Sequence, residues 1–409
     1  FPVVELSARY SLADGGRNLD FPVGDLLNPV YNNLNQINGP SAPQYPQIQN
    51  QEIPLLRPRE QQTSLSFKMP VWDSRIEASI TAAEALLAAD TARHRASEQQ
   101  ISHQVTKGIQ QALSLRDQQI ILTSTLDLTA AQLKTAQALY QNGKTTRDTV
   151  ERARADVLEV EQAYQQVTQG IDLSLAALAN TLNAPTPPRE VLRLQVDDGT
   201  VQFVQQQLQQ TLADVPLSLT TPLDALQRLA LQNRAELAQL AHQVKATEAG
   251  KAAVAAQYAP RLGFGVEAGT QGEEHPHGHG HNYVQGPGLL DWALGEGGPT
   301  QAKLNVAQAQ IINVQAQREA AASQIKLATQ QAFDEWRTQT LGLNTAKARE
   351  AAAQTAHTIA VKKHAAGLTN ELTLSDARNA LTRAQLNVSQ TRYAILNALA
   401  DLRLALGVN

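Results

Sequence analysis

Four of the chain's nine histidines fall within seven residues, in the run Glu273-Glu274-His275-Pro276-His277-Gly278-His279-Gly280-His281. Alternate imidazoles beside two carboxylates suit Zn²⁺, Ni²⁺ or Cu²⁺, which take nitrogen ligands in several geometries. The plainer reading is a variable, solvated loop whose histidines bind nothing. The others, His94, His103, His242, His357 and His364, are scattered along the chain without ligand spacing. A second set of titratable groups, Asp148 and Glu151, Glu371 and Asp376, follows two Gly-containing turns, where carboxylates favour a helix N-terminus through its dipole. Neither set makes a catalytic constellation, and no Gly-rich phosphate loop, nucleophile elbow or His-Glu-x-x-His pattern occurs. With no cysteine, thiol catalysis, disulfides and Cys-based metal sites are excluded as well. The expectation is a protein that is not an enzyme and needs no cofactor.

The elements that must position these groups are long helices. Residues 75–141 and 300–366 contain no proline, and each stretch runs into a turn glycine, Gly143 or Gly367. A helix of that length would extend about 100 Å at the standard rise. The two stretches are copies. Gly143 matches Gly367, Ala153-Arg154 matches Ala377-Arg378, Leu175 to Leu178 matches Leu399 to Leu402, and Leu182 matches Leu406, always 224 residues apart. Two copies at so long a period indicate an internal duplication rather than a solenoid. Spacings of three and four put Ile101, Val105, Gly108, Ala112, Leu115, Leu122, Leu126, Leu133, Ala136 and Tyr140 on one stripe, and Leu304, Ile311, Val314, Ala321, Ile325, Ala328 and Ala332 on another. Such heptads pack lengthwise as coiled coils, and their small residues permit close approach. Gly143 and Gly367 can take the left-handed C′ conformation, with Thr145, Thr146, Thr369 and Asn370 as caps for the returning helices. Pro185, Pro187 and Pro188 close the first returning helix; residues 184–221 read as irregular; and Thr221-Pro222-Leu223-Asp224 opens a helix over 222–258, with threonine as N-cap.

Four short segments alternate apolar and polar residues with period two. Val4, Leu6, Ala8, Tyr10 and Leu12 alternate with Glu5, Ser7, Arg9 and Ser11, and Thr63, Leu65, Phe67 and Met69 with Ser64, Ser66 and Lys68. Leu262, Phe264, Val266 and Ala268 alternate with Gly263, Gly265 and Glu267, and a fourth segment lies around Leu290, Trp292 and Leu294. They form two hairpins, within 1–74 and 259–298, the first enclosing a Pro-, Asn- and Gln-rich loop over 13–60. Two hairpins are too few to bury a core, so they call for strands from other chains. Ten of the seventeen aromatic residues lie in these two regions, with Trp72 and Trp292 near strand-to-helix junctions where an interfacial belt would sit. A soluble sandwich edge is the competing reading, and nothing else in the chain supplies its opposing sheet.

Mean hydropathy is −0.31 and no run approaches the ~18 apolar residues of a membrane-spanning helix, which leaves a membrane barrel open because barrel strands alternate. A net charge of −4, mixed along the chain, points to no nucleic-acid surface. No signal peptide is visible at Phe1, and the second copy has a helix before its first strand where the first copy has none. The chain therefore reads as lacking an N-terminal helix and whatever targeting or lipidation signal preceded it.

Strand pair, long helix, Gly turn and shorter helix, all duplicated, resembles the TolC-like outer-membrane efflux duct family over essentially the whole chain. Local matches follow in order: Asn233-Arg234-Ala235-Glu236-Leu237, similar to the family's Asn-Arg-Pro-Glu-Leu helix; Ala259-Pro260-Arg261-Leu262 leading into a strand; Trp292 through Gly297-Gly298 at the strand-to-helix junction; and Leu402 through Leu406-Gly407 at the end. The resemblance implies a mainly α fold with a small β part, in which a homotrimer builds a twelve-stranded transmembrane β-barrel continued by a long antiparallel α-helical coiled-coil barrel. It implies the outer membrane of a Gram-negative (diderm) bacterium, with the helices in the periplasm and outer-membrane lipid around the barrel. The function implied is a passive duct of a tripartite efflux or type I secretion system. Its cargo would come from a periplasmic adaptor and an inner-membrane RND, ABC or MFS pump. On this scheme residues 1–74 and 259–298 are the hairpins, with loop 13–60 and the His-rich loop outside; 75–183 and 299–409 carry the long helices, turns and returning helices; 184–221 is equatorial; and 222–258 opens the second repeat. The turns are the tips that dock the adaptor, through Asn142, Gly143, Lys144, Gly367, Leu368 and Thr369. Lys144 departs from the usual apolar residue after the glycine, which Leu368 keeps. Carried over from Gly367, Asp376 falls on a gate-ring aspartate and Thr373 takes the place of a second. Arg152 matches Asp376 in the first copy, giving a latch within or between chains, with Asp148 nearby. Two further readings compete: a heavy-metal efflux duct using the His-rich loop, and, in another class, a soluble coiled-coil scaffold that would leave strands and clustered aromatics unexplained.

Overall fold

A computed structural model of the chain describes residues 2–55, 58–212, 215–272, 281–295 and 297–408. β1 (Val3–Leu12) leads through β2 (Asn18–Phe21), α1 (Val23–Asn38) and β3 (Gln51–Pro54) into β4 (Arg59–Trp72). Five helices follow: α2 (Ser74–Gln141), α3 (Arg147–Thr181), α4 (Asp198–Thr211), α5 (Leu223–Asn233) and α6 (Ala235–Ala255). Then come β5 (Arg261–Gly272), β6 (Asn282–Gln285), β7 (Gly288–Asp291), α7 (Pro299–Ala365) and α8 (Glu371–Leu406). The chain divides into two compact units, residues 1–81 with 249–308 and residues 82–248 with 309–409.

In the first unit, β1, β4 and β5 form an antiparallel sheet whose last lane is shared by β6 and β7, both paired with β5. That lane breaks at Gly286-Pro287 because proline has no N–H for the ladder; the Pro287 carbonyl still accepts the Gly265 N–H at 3.0 Å. The fourth strand thus lies earlier than the Leu290 to Leu294 segment predicted, and Trp292 follows it, its indole N–H donating to the Tyr258 carbonyl at 3.1 Å. The register sets Val4 opposite Phe67 and Phe67 opposite Val266, then Leu6 opposite Leu65 and Leu65 opposite Ala268, so one face is apolar across the lanes. Glu5, Ser66 and Glu267 form a row on the other face. The polar face is the sheltered one: Ser64 and Ser66 are buried, while Leu65 is 51% exposed. Among the described residues β1 pairs only with β4, and β6 and β7 only with β5, leaving both outer edges free.

The segment 13–60 is more ordered than the loop expected there. β2 pairs with β3, and Asn28 clamps the return of α1, donating to the Ile48 carbonyl and accepting the Ile48 N–H, each at 2.8 Å. Tyr31 stacks on Tyr45 at 5.2 Å. The amides that made the segment look like a loop satisfy its irregular backbone.

The second unit is helical. Of the predicted stripes, Ala112, Leu122 and Ala136 in α2 and Ile311, Val314, Ile325 and Ala332 in α7 are buried. α2 and α3 touch through glycines: Leu178 Cδ1 lies 3.3 Å from where a Cβ on Gly108 would sit, and Leu115 Cδ1 the same distance from that of Gly170. The main core gathers on the C-terminal half of α8, where Tyr393, Leu396, Leu399, Leu402 and Leu406 meet Val201 and Leu208 of α4, Leu226 of α5 and Phe333 and Trp336 of α7. Residues 184–221, predicted irregular, therefore contain a helix, opened by an Asp197/Thr200 capping box. The helix predicted over 222–258 breaks at Arg234, whose backbone is extended and whose guanidinium donates to the Leu404 carbonyl at 2.6 Å. Thr221 does not cap α5; its hydroxyl donates to the Pro216 carbonyl, and Pro222 stands at the N-cap. Asp198 receives Lys347 of α7 and, at 3.1 Å, Arg392 of α8. The Lys347 hydrogen bond is the main reason its carboxyl sits below the usual range.

Two outcomes follow. Leu402→Ala removes a fully buried side chain and lowers the thermal unfolding midpoint, followed by far-UV circular dichroism, by the equivalent of about 2–5 kcal/mol. The depressed pKa of Asp198 means that its contribution is present above the unfolded value of about 4 and is lost as pH falls through the folded value. Asp198→Asn therefore lowers the midpoint at neutral pH, and the gap to the parent protein closes on acidification.

Candidate functional site

The two returning turns are built alike. Gly143 has a φ of 69°, its N–H meets the Tyr140 carbonyl at 2.9 Å, and the Lys144 N–H reaches the Leu139 carbonyl at 2.8 Å. Gly367 also has a φ of 69°, with its N–H on His364 at 3.0 Å and the Leu368 N–H on Lys363 at 2.9 Å. These are Schellman closures, and the left-handed residue is glycine because a Cβ would be strained there. Asn142, Gly143, Lys144 and Gly367 are exposed, Leu368 to 76%, while Thr369 is half-buried. Asn370 caps α8, its side-chain oxygen accepting the Thr373 N–H at 3.0 Å. Thr146 holds the equivalent place before α3 but turns its hydroxyl to Asp148. That hydrogen bond, with a smaller contribution from Arg152 one turn on, holds the Asp148 carboxyl below the usual range.

Behind the turns lies a cleft of about 660 Å³ lined by Asp148, Arg152 and Asp376, with Lys144 at its edge. Thr373 is not part of it; its hydroxyl is tied to Asn370 at 2.8 Å. Among the described residues no ion pair joins Arg152 to Asp376 within the chain, and both are exposed.

The residue that does join the helices is Arg378, only 3% exposed. It donates to Asp156 of α3 at 2.6 Å, to Ser375 at 3.0 Å and to Gln132 of α2. Gln132 donates in turn to Glu371, which meets His364 of α7 at 2.9 Å. A buried guanidinium must be paired in this way or its desolvation would be uncompensated. Sequence reasoning used Arg378 only as a match for Arg154. The signal was there at the same offset: Gln132 and Asp156 face Ala356 and Ala380 in the other copy, so the polar partners belong to one copy alone. Arg154 itself is 61% exposed, 3.6 Å from Glu151.

His275, His277 and His279 lie outside the described residues. The His281 carbonyl accepts the Gln271 N–H at 3.0 Å as the chain re-enters the sheet. Among the described residues there is no group of three or more potential metal ligands, and no helix long and apolar enough to cross a membrane.

No curated protein matches the chain. Solved structures do, at low identity. The outer membrane protein VceC from Vibrio cholerae is 17% identical with a TM-score of 0.74, over 100% of this chain and 87% of that one. The CmeC outer membrane channel of Campylobacter jejuni is 14% identical with a TM-score of 0.75, over 100% of this chain and 78% of that one. A membrane protein from Pseudomonas aeruginosa is 16% identical with a TM-score of 0.76, over 100% and 84%. These likenesses are of fold. Kinship comes from the model of the Outer membrane efflux protein family, which matches residues 57–184 and 226–408 and so takes in both copies of the repeat. The chain belongs to the outer membrane efflux protein family.

Proposed function

We propose that three copies of the chain join edge to edge into a closed twelve-stranded barrel in an outer membrane, continued by a helical barrel in the periplasm. The assembly is the passive exit duct of a tripartite efflux or type I secretion system. The observation that supports this reading most is the inverted sheet, with Val4, Leu6, Leu65 and Phe264 exposed on one face and Ser64 and Ser66 sheltered on the other. In water that face would be a large apolar patch, and each free edge a template for aggregation. In hydrocarbon the apolar face is what the solvent requires, and closure with further copies pairs both edges. A soluble scaffold has no use for either feature.

The duct is driven by an inner-membrane pump of the RND, ABC or MFS class through a periplasmic adaptor, and the chain's own task is gating. Asp376, Thr373, Arg152 and Asp148 form the gate, with Arg152 and Asp376 pairing between neighbouring copies. Their exposure, and the absence of an ion pair between them within the chain, support that assignment. Asn142, Gly143, Lys144, Gly367, Leu368 and Thr369 dock the adaptor, Leu368 supplying an exposed apolar contact.

Single-channel conductance in planar bilayers should be small at rest and rise in Asp376→Ala; an unchanged current overturns the gate. Adaptor pull-down should be lost in the Gly143→Pro, Gly367→Pro double variant with trimer content unchanged, because proline cannot adopt the positive φ of either turn. Capture that survives both changes sinks the docking assignment.

A further inference from the structure

The polar face of the sheet changes character at one end. Along most of it Ser7, Ser64, Gln62 and Glu267 hydrogen-bond across the lanes, for example Ser7 to Ser64 at 2.9 Å and Tyr283 to Glu267 at 2.8 Å. Where β4 and β5 approach the helices of their own unit, the same face offers Pro70, Gly263, Gly265, Pro287 and Leu289 instead. Three irregularities converge there. The β4–β5 register shifts between Pro70 and Trp72, the last lane breaks at Gly286-Pro287, and Gly263 and Gly265 stand opposite Pro70 and Lys68. Bulges gather at barrel rims and beside binding sites, and glycine within a strand marks a place that something else approaches.

The result is an open recess of about 370 Å³, within the range of small-molecule sites. A Cβ on Gly263 would meet nothing nearer than the Met69 carbonyl oxygen at 3.8 Å, so the space is free rather than filled by packing. The charges at its rim are of two kinds. Arg75 is held by Asp73 through bonds of 2.9 and 2.5 Å, and Arg261 pairs with Asp291, so both guanidiniums are already neutralised. Lys68 is held only loosely: its contact with Glu5 is 3.9 Å long, its charge also acts through space on Glu267, and its side chain is 69% exposed. A rigid apolar floor with no hydrogen bonds to satisfy, beside one available ammonium, fits a flat apolar body carrying one negative charge.

We infer that this recess is a cargo-contact site for small amphipathic anions, the apolar body lying over Gly263, Pro287 and Leu289 and the carboxylate or sulfonate meeting Lys68 Nζ. The inference rests on the duct reading, which puts the polar face on the lumen, and names a substrate class for it. Weak contact is what a conduit needs, because cargo must enter and leave.

The test uses 6-fluoro-2-naphthoate with the full-length protein in nanodiscs and planar bilayers. The protein broadens the probe's fluorine resonance. Lys68→Gln weakens binding about fivefold, as for one exposed ion pair, and Gly263→Leu, which fills the recess, removes it. The uncharged 6-fluoro-2-naphthamide binds the parent about fivefold more weakly than the acid, and binds Lys68→Gln as the acid does. In bilayers the acid gives brief current interruptions that shorten in Lys68→Gln and disappear in Gly263→Leu. Equal broadening by the parent and Gly263→Leu overturns the site, and equal affinity of the parent for acid and amide overturns the anion assignment. Binding without ionic current keeps the site and sinks the duct reading; current without binding does the reverse.

Discussion

The backbone groups along two free sheet edges, β1 on one side and β6 with β7 on the other, set the terms for the rest of the chain. Outside water an unpaired amide costs several kcal/mol, so such edges are compatible with a membrane only when every one finds a strand. Along most of its polar face the sheet satisfies its side chains from within. Ser7 and Ser64 bond to each other, Tyr283 serves Glu267, and Gln62 serves Tyr283 at 3.2 Å. What is left facing outwards is apolar, and what is left unpaired along the edges is backbone. Both deficits are of the kind that further copies of the same sheet in lipid would remove together.

The helical unit solves a different problem, which is to bring long helices close with few large side chains. Thr125, Thr129 and Thr329 are buried at its contacts, and each hydroxyl donates back to its own helix at 2.8 to 3.0 Å, so none of these three is left an orphan. α8 shows the resulting contrast along one element. Its C-terminal half is packed by Tyr393, Leu399, Leu402 and Leu406, while its N-terminal half is held by the hydrogen bonds of Arg378. Polar fastenings of that kind can be exchanged for other polar partners; a packed leucine has no such alternative.

Period was the legible part of the sequence. Alternation placed β1, β4 and β5, and proline-free heptads placed α2 and α7, because these long elements repeat one spacing many times. Short elements carried by specific contacts were harder to read. α1 was hidden by amide-rich composition, although Asn28 is there to clamp Ile48. α4 was readable after the fact, from Asp197 and Thr200 with Val201, Leu208 and Leu212 at helical spacing. The break at Arg234 depends on a carbonyl 170 residues away, Leu404, which no local pattern announces. At the cleft, the turns were legible from glycine and offset and Asp376 was singled out only through the family resemblance, whereas Arg378 gained its importance only from Gln132 and Asp156, far apart in sequence.

The two copies of the repeat agree in backbone and disagree in charge. Asn183 and Gly407 share a left-handed cap 224 residues apart, with φ of 49° and 66°, just as Gly143 and Gly367 share a turn. Yet Arg378 is enclosed by Asp156 and Gln132, and its counterpart Arg154 lies in solvent. A ring of three such chains would therefore have pseudo-sixfold shape and strictly threefold electrostatics. A partner gripping every turn alike could use only their common backbone outline, and one sensitive to charge would meet two alternating kinds of seat around the same rim.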